Sequence, residues 1–340
     1  MGYISFDKLK VYSLILLFIP VSNFFIYQII CFRKYKNLSF KFAVNIKLLK
    51  ELLGYVIWNV LSGFAGALYN QGLNFVLNIF CGPIINSARA ISFQVNGAVT
   101  SFASHFSSAV QPQLIKNYAI KDYSSMYKQL YRGIKLTFFL MYIFVVPLVL
   151  EIQPVLKVWL GEYPDYTEIF IILTLCTTCI EVMTYSLDTM AQATGKIKLY
   201  QFLISIIVLL NLPLSIFLLK LHYEAFFVII VYAVLMLFSF IIRLLMLHYI
   251  LIDFKLKTFF IETILPVFLL IVLSLPLPIL IKIAIDNTIL QFFSVVVISI
   301  ISNIFIGYKL LLNKEDKEQV QLKINNSLRK YYNKTEKNNE

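Results

Sequence analysis

The chain has 340 residues, of which 59% are hydrophobic and 14% are charged, and its mean hydropathy is +0.79. Soluble domains carry about 25% charged residues and fewer apolar ones, so this composition excludes a soluble enzyme and predicts an all-α integral membrane protein. The net charge of +12 does not indicate a nucleic-acid partner, because the basic residues fall in alternate connections between apolar segments.

Roughly nine segments are long and apolar enough to cross a hydrocarbon core, which takes about 20 helical residues each. In chain order they are Val11–Cys31, Leu52–Cys81, Ile84–Gln111, Leu136–Leu150, Phe170–Thr194, Tyr200–Leu219, Phe226–Leu247, Phe259–Ile283 and Leu290–Leu312. The connections rich in lysine and arginine alternate with short acidic ones. By the positive-inside rule, the amino terminus lies outside and the carboxyl terminus lies in the cytoplasm.

These spans divide the chain into four parts. Residues 1–50 form one transmembrane helix with a basic cytoplasmic loop, and residues 51–250 form a six-helix bundle. Residues 251–312 add two transmembrane helices, and residues 313–340 form a basic cytoplasmic tail. The stretch Asn37–Gly54 has the pattern of an amphipathic segment on the inner surface of the membrane.

The third span carries a polar stripe along its whole length. At about 100° per residue, its polar side chains fall within about 80° of one another, and the stripe is about 38 Å long. Its members are Asn86, Arg89, Asn96, Thr100, Ser104, Ser107 and Gln111. Polar groups that face lipid cost kilocalories each, so the stripe must face protein or water.

Two other spans repeat this design. The second span has Asn59, Ser62, Gly63, Gly66, Asn70 and Asn74 on one face. The fifth span has Thr174, Thr177, Glu181, Thr184, Asp188 and Gln192 on one face, with its two acids seven residues apart. Ionisable residues inside spans indicate function by default, so the three stripes predict a water-filled central cavity.

Structural roles remain open for each charged residue. Arg89 lies one to two turns from the outer end of its span and could extend to the outer headgroups. Glu181 and Asp188 could be hydrogen-bond partners between helices without any ligand. Arg243 lies near the cytoplasmic end of its span, where we expect its side chain to reach the headgroups.

The sequence contains no pattern typical of a catalytic or metal site. Cys31, Cys81, Cys176 and Cys179 lie within or at the ends of spans, and no histidine accompanies the closely spaced last pair. The stretch ATGK at Ala193–Lys196 lacks the upstream glycine of a phosphate-binding loop. We therefore predict a carrier that is not an enzyme and that needs no cofactor or metal.

Several stretches carry a resemblance to a known family. They are YNQGLNFVLNIFCGPIINSARAISFQVNGAVTSFASHFSSAVQPQLIKNYA at Tyr69–Ala119, VWLGEYPDYT at Val158–Thr167, AQATGKIKLYQ at Ala191–Gln201, LNLPLS at Leu210–Ser215 and FSFIIRLLML at Phe238–Leu247. Through them the chain resembles the polysaccharide-transporter family of bacterial lipid-linked oligosaccharide flippases, in the multidrug/oligosaccharidyl-lipid/polysaccharide exporter superfamily.

The resemblance implies a MATE-like two-lobe fold, in which two six-helix lobes enclose a central cavity and two extra helices follow. On that plan the first span here is the sixth helix, the next six form the second lobe, and the last two are the extra pair. We therefore expect the chain to be the later part of a longer protein or a fragment with little transport of its own.

The implied activity is transport of an undecaprenyl-pyrophosphate-linked oligosaccharide across the bacterial cytoplasmic membrane, for O-antigen, capsule or another surface polysaccharide. Arg89 would meet the pyrophosphate, since a guanidinium suits that anion through bidentate hydrogen bonds. The amides expected to line the cavity are Asn86, Asn96, Gln111, Asn70 and Asn59. Glu181 or Asp188 would bind a coupling proton or Na⁺. Membrane lipids and polysaccharide assembly proteins are the other expected partners.

Three rival functions stay open at this point. A cation-coupled multidrug exporter of the same superfamily would favour an acidic, aromatic pocket. A membrane-embedded glycan polymerase or ligase would extend sugar chains. An inactive truncated fragment would be held together by helix packing alone.

Overall fold

The computed structural model describes residues 8–34, 45–285, 288–313, 317–318 and 321–322. Within these ranges the chain forms helices and short connections, with no strand. Eight helices in the described part are long and apolar enough to cross a membrane, as expected for a multi-pass membrane protein. The chain divides into two compact units, Met1–Leu52 and Leu53–Glu340.

The first unit contains one long apolar helix. Helix α1 (Lys8–Lys34) ends with Arg33 and Lys34 in its last turn, and none of its most apolar stretch is buried. This helix agrees with the first predicted span. Helix α2 begins in the same unit at Ile46, where the side chain of Asn45 accepts hydrogen bonds from two backbone amides and so caps the helix. Much of the predicted amphipathic stretch lies outside the described residues.

The second unit contains the rest of α2 (Ile46–Ala119), which is divided by one residue. Gly82 has φ 83° and ψ 176°, which are not helical angles. Arg89 donates hydrogen bonds to the Asn74 side chain and the Asn70 carbonyl, although 15 residues of unbroken helix would separate Arg89 and Asn74 by about 22 Å. The chain therefore reverses at Gly82 into two arms, residues 46–81 and 83–119, in agreement with the predicted boundary between the second and third spans.

After α2 the described chain continues through short turns and helices. These are α3 (Tyr123–Leu150), α4 (Ile152–Leu160), α5 (Thr167–Val182), α6 (Tyr185–Thr194), α7 (Lys198–Lys220), α8 (Phe227–Ile250), α9 (Leu256–Phe259), a π-helical turn (Phe260–Ile264), α10 (Leu265–Ser274), α11 (Pro276–Ala284) and α12 (Thr288–Leu310). The predicted tail, residues 313–340, lies mostly outside the described residues.

Two predicted spans are less regular than the sequence suggested. The fifth was predicted as one helix, but the chain turns at Met183 and Thr184, where the Thr184 amide donates to the Glu181 carbonyl. The eighth is interrupted by the π-helical turn and again at Leu275, just before Pro276. In the fifth span the irregularity is one tighter turn, since Met183 and Thr184 keep helical angles.

Close helix contact holds the second unit together. Within a membrane, association depends on van der Waals packing and hydrogen bonds, because lipid is as apolar as the protein core. Small residues permit this approach: a Cβ atom on Gly72 would lie 2.9 Å from the Leu212 side chain. One apolar cluster joins the first arm of α2 to α5, α7 and α8 through Leu73, Phe170, Leu219 and Val228. This cluster borders the cavity described next.

Candidate functional site

A cavity of about 150 Å³ lies among α2, α5 and α8 in the second unit. It is lined by Tyr69, Asn70, Arg89, Phe93, Asn96, Thr174, Thr177, Thr178, Glu181, Ile229 and Tyr232. Both arms of α2 contribute to this lining, because the reversal at Gly82 brings Tyr69 and Asn70 beside Arg89. The cavity is therefore built by chain reversal and by members of all three predicted polar stripes.

Arg89 is the buried cation of this cavity, and only 3% of its surface is exposed. Its Nη1 donates to the side chain of Asn74 and, at 3.5 Å, to the carbonyl oxygen of Asn70. Its Cζ lies 4.4 Å from the ring centroid of Phe93, in cation–π contact. The prediction that Arg89 faces the cavity agrees with this placement, and the alternative of extension to the outer headgroups does not.

Several polar atoms around the cavity have no hydrogen-bond partner of normal geometry among the described residues. Two are donors on Arg89, namely Nε and Nη2. Three are the oxygen atoms Asn70 Oδ1, Asn96 Oδ1 and Thr174 Oγ1. Unpartnered buried polar groups cost about 1–3 kcal/mol each, so native proteins satisfy almost all of them with protein, water or ligand. Similar atoms occur elsewhere in the described chain, for example on Asn211 and Asn303, but the five at this cavity border one space that a polar group could enter.

Glu181 is the acid of the cavity. It lies one residue before the end of α5 and lines the cavity, and the nearest charges acting on its carboxylate are those of Arg243 and Asp188, which pair with each other. Burial of an unpaired carboxylate is costly, and protonation or a bound cation relieves that cost. The arrangement suits the predicted role in binding a coupling proton or cation.

The structure brings together half of the predicted site residues. Arg89, Asn96, Asn70 and Glu181 all line the cavity. The other four lie elsewhere: Asn86, Gln111, Asn59 and Asp188 are absent from its lining. Asn59 lies about three helical turns from Asn70 and accepts a hydrogen bond from Gln201 at 3.4 Å.

Asp188 belongs to a separate buried cluster. Its Oδ1 accepts hydrogen bonds from Arg243 Nε at 2.9 Å and from the Tyr200 hydroxyl at 2.5 Å. Arg243 also donates to the Ser239 hydroxyl. The expectation that Arg243 extends to the headgroups is wrong, because its side chain is only 9% exposed and is paired with Asp188. The cluster ties α6, α7 and α8 together.

Sequence reasoning missed the aromatic side of the cavity. Tyr69 and Tyr232 stack with ring centroids 4.5 Å apart, and the Tyr69 hydroxyl interacts with the Arg89 guanidinium. Phe93 lies on the other side of Arg89. The sequence held a signal for Phe93, since it lies one turn after Arg89, but none that joined Tyr69 to Tyr232 across 163 residues of chain.

The described residues offer no set of side chains suited to a metal ion, since no group of three or more His, Cys, Asp or Glu residues converges. The four cysteines are free thiols, with Cys31 and Cys176 exposed. The lining of the cavity offers one guanidinium, one carboxylate, amide and hydroxyl groups, and three aromatic rings. No protein-family model matches the chain, and no curated protein or solved structure matches it.

Proposed function

We propose that this protein carries a lipid-linked oligosaccharide with a pyrophosphate group across the bacterial cytoplasmic membrane. The observation that carries the proposal is the Arg89 guanidinium, which is buried in a cavity and has two donors without a partner of normal geometry. A pyrophosphate oxygen pair accepts hydrogen bonds in the geometry that a guanidinium offers. Binding would therefore add charged acceptors to a guanidinium whose neighbours are otherwise the Asn74 side chain, the Asn70 carbonyl and the Tyr69 hydroxyl.

The size of the cavity supports a binding mode in which the phosphate lies inside it and the sugar chain lies outside. A volume of about 150 Å³ corresponds to about five water molecules at ~30 Å³ each. That space is sufficient for a phosphate group beside Arg89. In our proposal one phosphate enters beside Arg89, Asn70 and Asn96 provide further polar contacts, and the oligosaccharide remains outside this cavity.

Transport in this proposal proceeds by alternating access of the phosphate site to the two sides of the membrane. Glu181 supplies the coupling, because its unpaired carboxylate faces the same cavity as Arg89. Release of a proton or Na⁺ from Glu181 would change the charge beside the bound phosphate and so its affinity. Asp188 is the weaker candidate for coupling, since its charge is engaged by Arg243.

The test is a flipping assay in proteoliposomes with a fluorescent undecaprenyl-pyrophosphate oligosaccharide. We expect Arg89→Ala to reduce the transport rate by at least about tenfold, as expected for loss of a charged hydrogen bond of ~1.4 kcal/mol or more. Arg89→Lys should retain part of the rate because it keeps the charge but loses the planar donors. Arg33→Ala is the matched control, since that arginine lies exposed at the end of α1. Transport by Arg89→Ala at the wild-type rate would contradict the proposal.

A cation-coupled multidrug exporter is the second candidate, and one observation favours it. Glu181 shares the cavity with the rings of Tyr69, Phe93 and Tyr232, and acidic, aromatic sites bind organic cations. The two candidates differ in which residue recognises the cargo. If Glu181→Gln abolishes efflux of a lipophilic cation while Arg89→Ala leaves it intact, the exporter is the correct function.

A further inference from the structure

A second cleft lies away from the cavity, between the first arm of α2 and the start of α7. It has a volume of about 260 Å³ and is lined by Trp58, Lys198, Leu199 and Phe202. The rings of Trp58 and Phe202 meet edge to face with centroids 6.4 Å apart, and Lys198 Nζ lies 5.3 Å from the Trp58 ring centroid. Trp58 is 11 residues from Tyr69 along the helix, or about 16 Å, so this cleft is distinct from the Arg89 cavity.

The lining of the cleft has two chemical parts. Three apolar side chains and the aliphatic stem of Lys198 form its walls, which suits a hydrocarbon chain. The ammonium group of Lys198 provides a positive charge, and no acidic residue lines the cleft. Tryptophan beside lysine at the end of an apolar helix is typical of the level of lipid headgroups.

A further positive feature lies at the same place. Helix α7 begins at Lys198, and no side chain caps its amino terminus, so its first backbone N–H groups stay available to an acceptor. The positive end of the helix dipole adds to the charge of Lys198 and of the exposed Lys196. A phosphate placed beside Trp58 would thus meet two ammonium groups and a helix amino terminus.

We propose that this cleft binds an anionic phospholipid, with the headgroup phosphate at Lys196, Lys198 and the start of α7 and one acyl chain along Trp58 and Phe202. The complementary charge selects an anionic lipid over a zwitterionic one. The occupant in this proposal is a lipid of the surrounding bilayer, because the walls of the cleft belong to α2 and α7, two helices that are long and apolar enough to cross a membrane. The cleft is separate from the Arg89 cavity. The inference does not depend on what the Arg89 cavity binds.

The chain contains two tryptophans, Trp58 and Trp159, and this permits a direct test. In the Trp159→Phe variant, reconstituted in liposomes, Trp58 is the single fluorophore. We expect brominated phosphatidylglycerol to quench its fluorescence more strongly than brominated phosphatidylcholine at equal mole fraction. Lys196→Gln and Lys198→Gln should each lower the preference by about fivefold, as for a lysine beside an anionic surface.

Lys220→Gln is the matched control, since Lys220 is an exposed lysine at the opposite end of α7 and should leave the preference unchanged. A thermal melt of each variant confirms that it is folded. Equal quenching by the two lipids would overturn the proposal, because the cleft would then take any acyl chain. Absence of quenching by both would overturn it as well, because protein would then cover Trp58. A preference that survives the double Lys196→Gln, Lys198→Gln variant would also overturn it.

Discussion

Two arginines are buried in the described part of the second unit, and they differ in how their charge is balanced. Arg243 has an acid at 2.9 Å and a serine hydroxyl as a further acceptor. None of its nitrogen atoms is both buried and without a hydrogen-bond partner among the described residues. Arg89 has no acid beside it: its neighbours are an amide, a carbonyl, the Tyr69 hydroxyl and an aromatic ring, and two of its donors have no partner of normal geometry. Burial is similar for both. The difference teaches that burial alone does not separate two arginines in membrane helices, whereas the charge that balances each of them does.

Asp188 and Glu181 differ in the same way in how their charges are balanced. Asp188 accepts hydrogen bonds from Arg243 and Tyr200, whereas Glu181 has no hydrogen-bond partner among the described residues. The two acids are only seven residues apart on successive helices. We infer that the Arg243 cluster stabilises the fold and that the Arg89 cavity is kept for a ligand.

The largest expected effect compares the two arginines directly. Arg243→Met should lower the free energy of unfolding by about 3 kcal/mol, because it leaves the Asp188 carboxylate without its cation. Arg89→Met should change it by no more than about 1 kcal/mol, because it removes unpaired donors together with two hydrogen bonds. The measurement is an SDS titration in mixed micelles. Equal losses in the two variants would break the comparison.

The Arg243 result has an internal control. The double variant Asp188→Asn, Arg243→Met should lose less stability than the sum of the two single variants, because neither charge is then left unpaired. Additive losses would show that the two side chains act independently.

The next largest effect concerns the reversal that builds the cavity. Gly82→Ala should cost about 2 kcal/mol, because its angles fall in a region that is open to glycine alone, although no atom blocks a Cβ there. Gly97→Ala is the control: Gly97 lies in a helical arm with open space around it, so alanine should be neutral or stabilising by up to about 1 kcal/mol. The measurement is the same titration, and equal effects at both glycines would contradict the account of the reversal.

A smaller effect is expected inside the Arg243 cluster. Tyr200→Phe removes the hydroxyl that donates to Asp188 at 2.5 Å and should cost about 1.5 kcal/mol, the low end for a hydrogen bond to a charged group. Tyr249→Phe is the control, because that side chain is 81% exposed. The loss should shrink in an Asp188→Asn background. A loss that stays the same there would mean that Tyr200 acts through packing instead.

The smallest effect concerns Glu151, a buried acid between α3 and α4. Its negative charge is only partly balanced, by Lys282 at 4.0 Å. Burial raises the pKa of this carboxyl above its ordinary value of 4.5, and Lys282, 4.0 Å away, partly opposes the shift. The folded state therefore holds this proton to a higher pH than the unfolded state does. Stability should fall as the pH rises from 4.5 to the folded pKa and then stay level.

Glu151→Gln should remove that slope and raise the stability at neutral pH. Chemical denaturation at a series of pH values in detergent measures both. Glu162→Gln, at an exposed acid on the same connection, is the control and should leave the slope in place. A wild-type slope of the opposite sign would show that Lys282 outweighs burial.

The sequence predicted the membrane helices well, because their signal is local. Composition and apolar length are enough to place a span, and Gly82 followed by Pro83 marked the boundary between the second and third spans. The polar stripe of the third span was also local, and two of its members, Arg89 and Asn96, line the cavity. Asn86 and Gln111 do not, since the stripe is far longer than a cavity of this volume.

The contacts of the acids could not be predicted from the sequence, because they depend on tertiary structure. Glu181 and Asp188 lie two turns apart in one span, but Glu181 lines the cavity whereas Asp188 is held by Arg243 and Tyr200, and only the packing of α7 and α8 decides this. The partner of Asp188 lies 55 residues away on α8, and periodicity along one helix carries no information on such a contact. The function proposed from the family resemblance stays a prediction.

The reversal at Gly82 has a consequence for how the gene can change. A single non-helical residue joins the two arms, so there is no loop to absorb a change in length. One extra residue between Pro83 and Arg89 would turn the arginine by about 100° around its helix and move it ~1.5 Å along the axis. Its guanidinium would then leave Asn70 and Asn74 and face a different neighbour. Evolution can exchange side chains along these arms, but insertions and deletions near the reversal should be removed by selection.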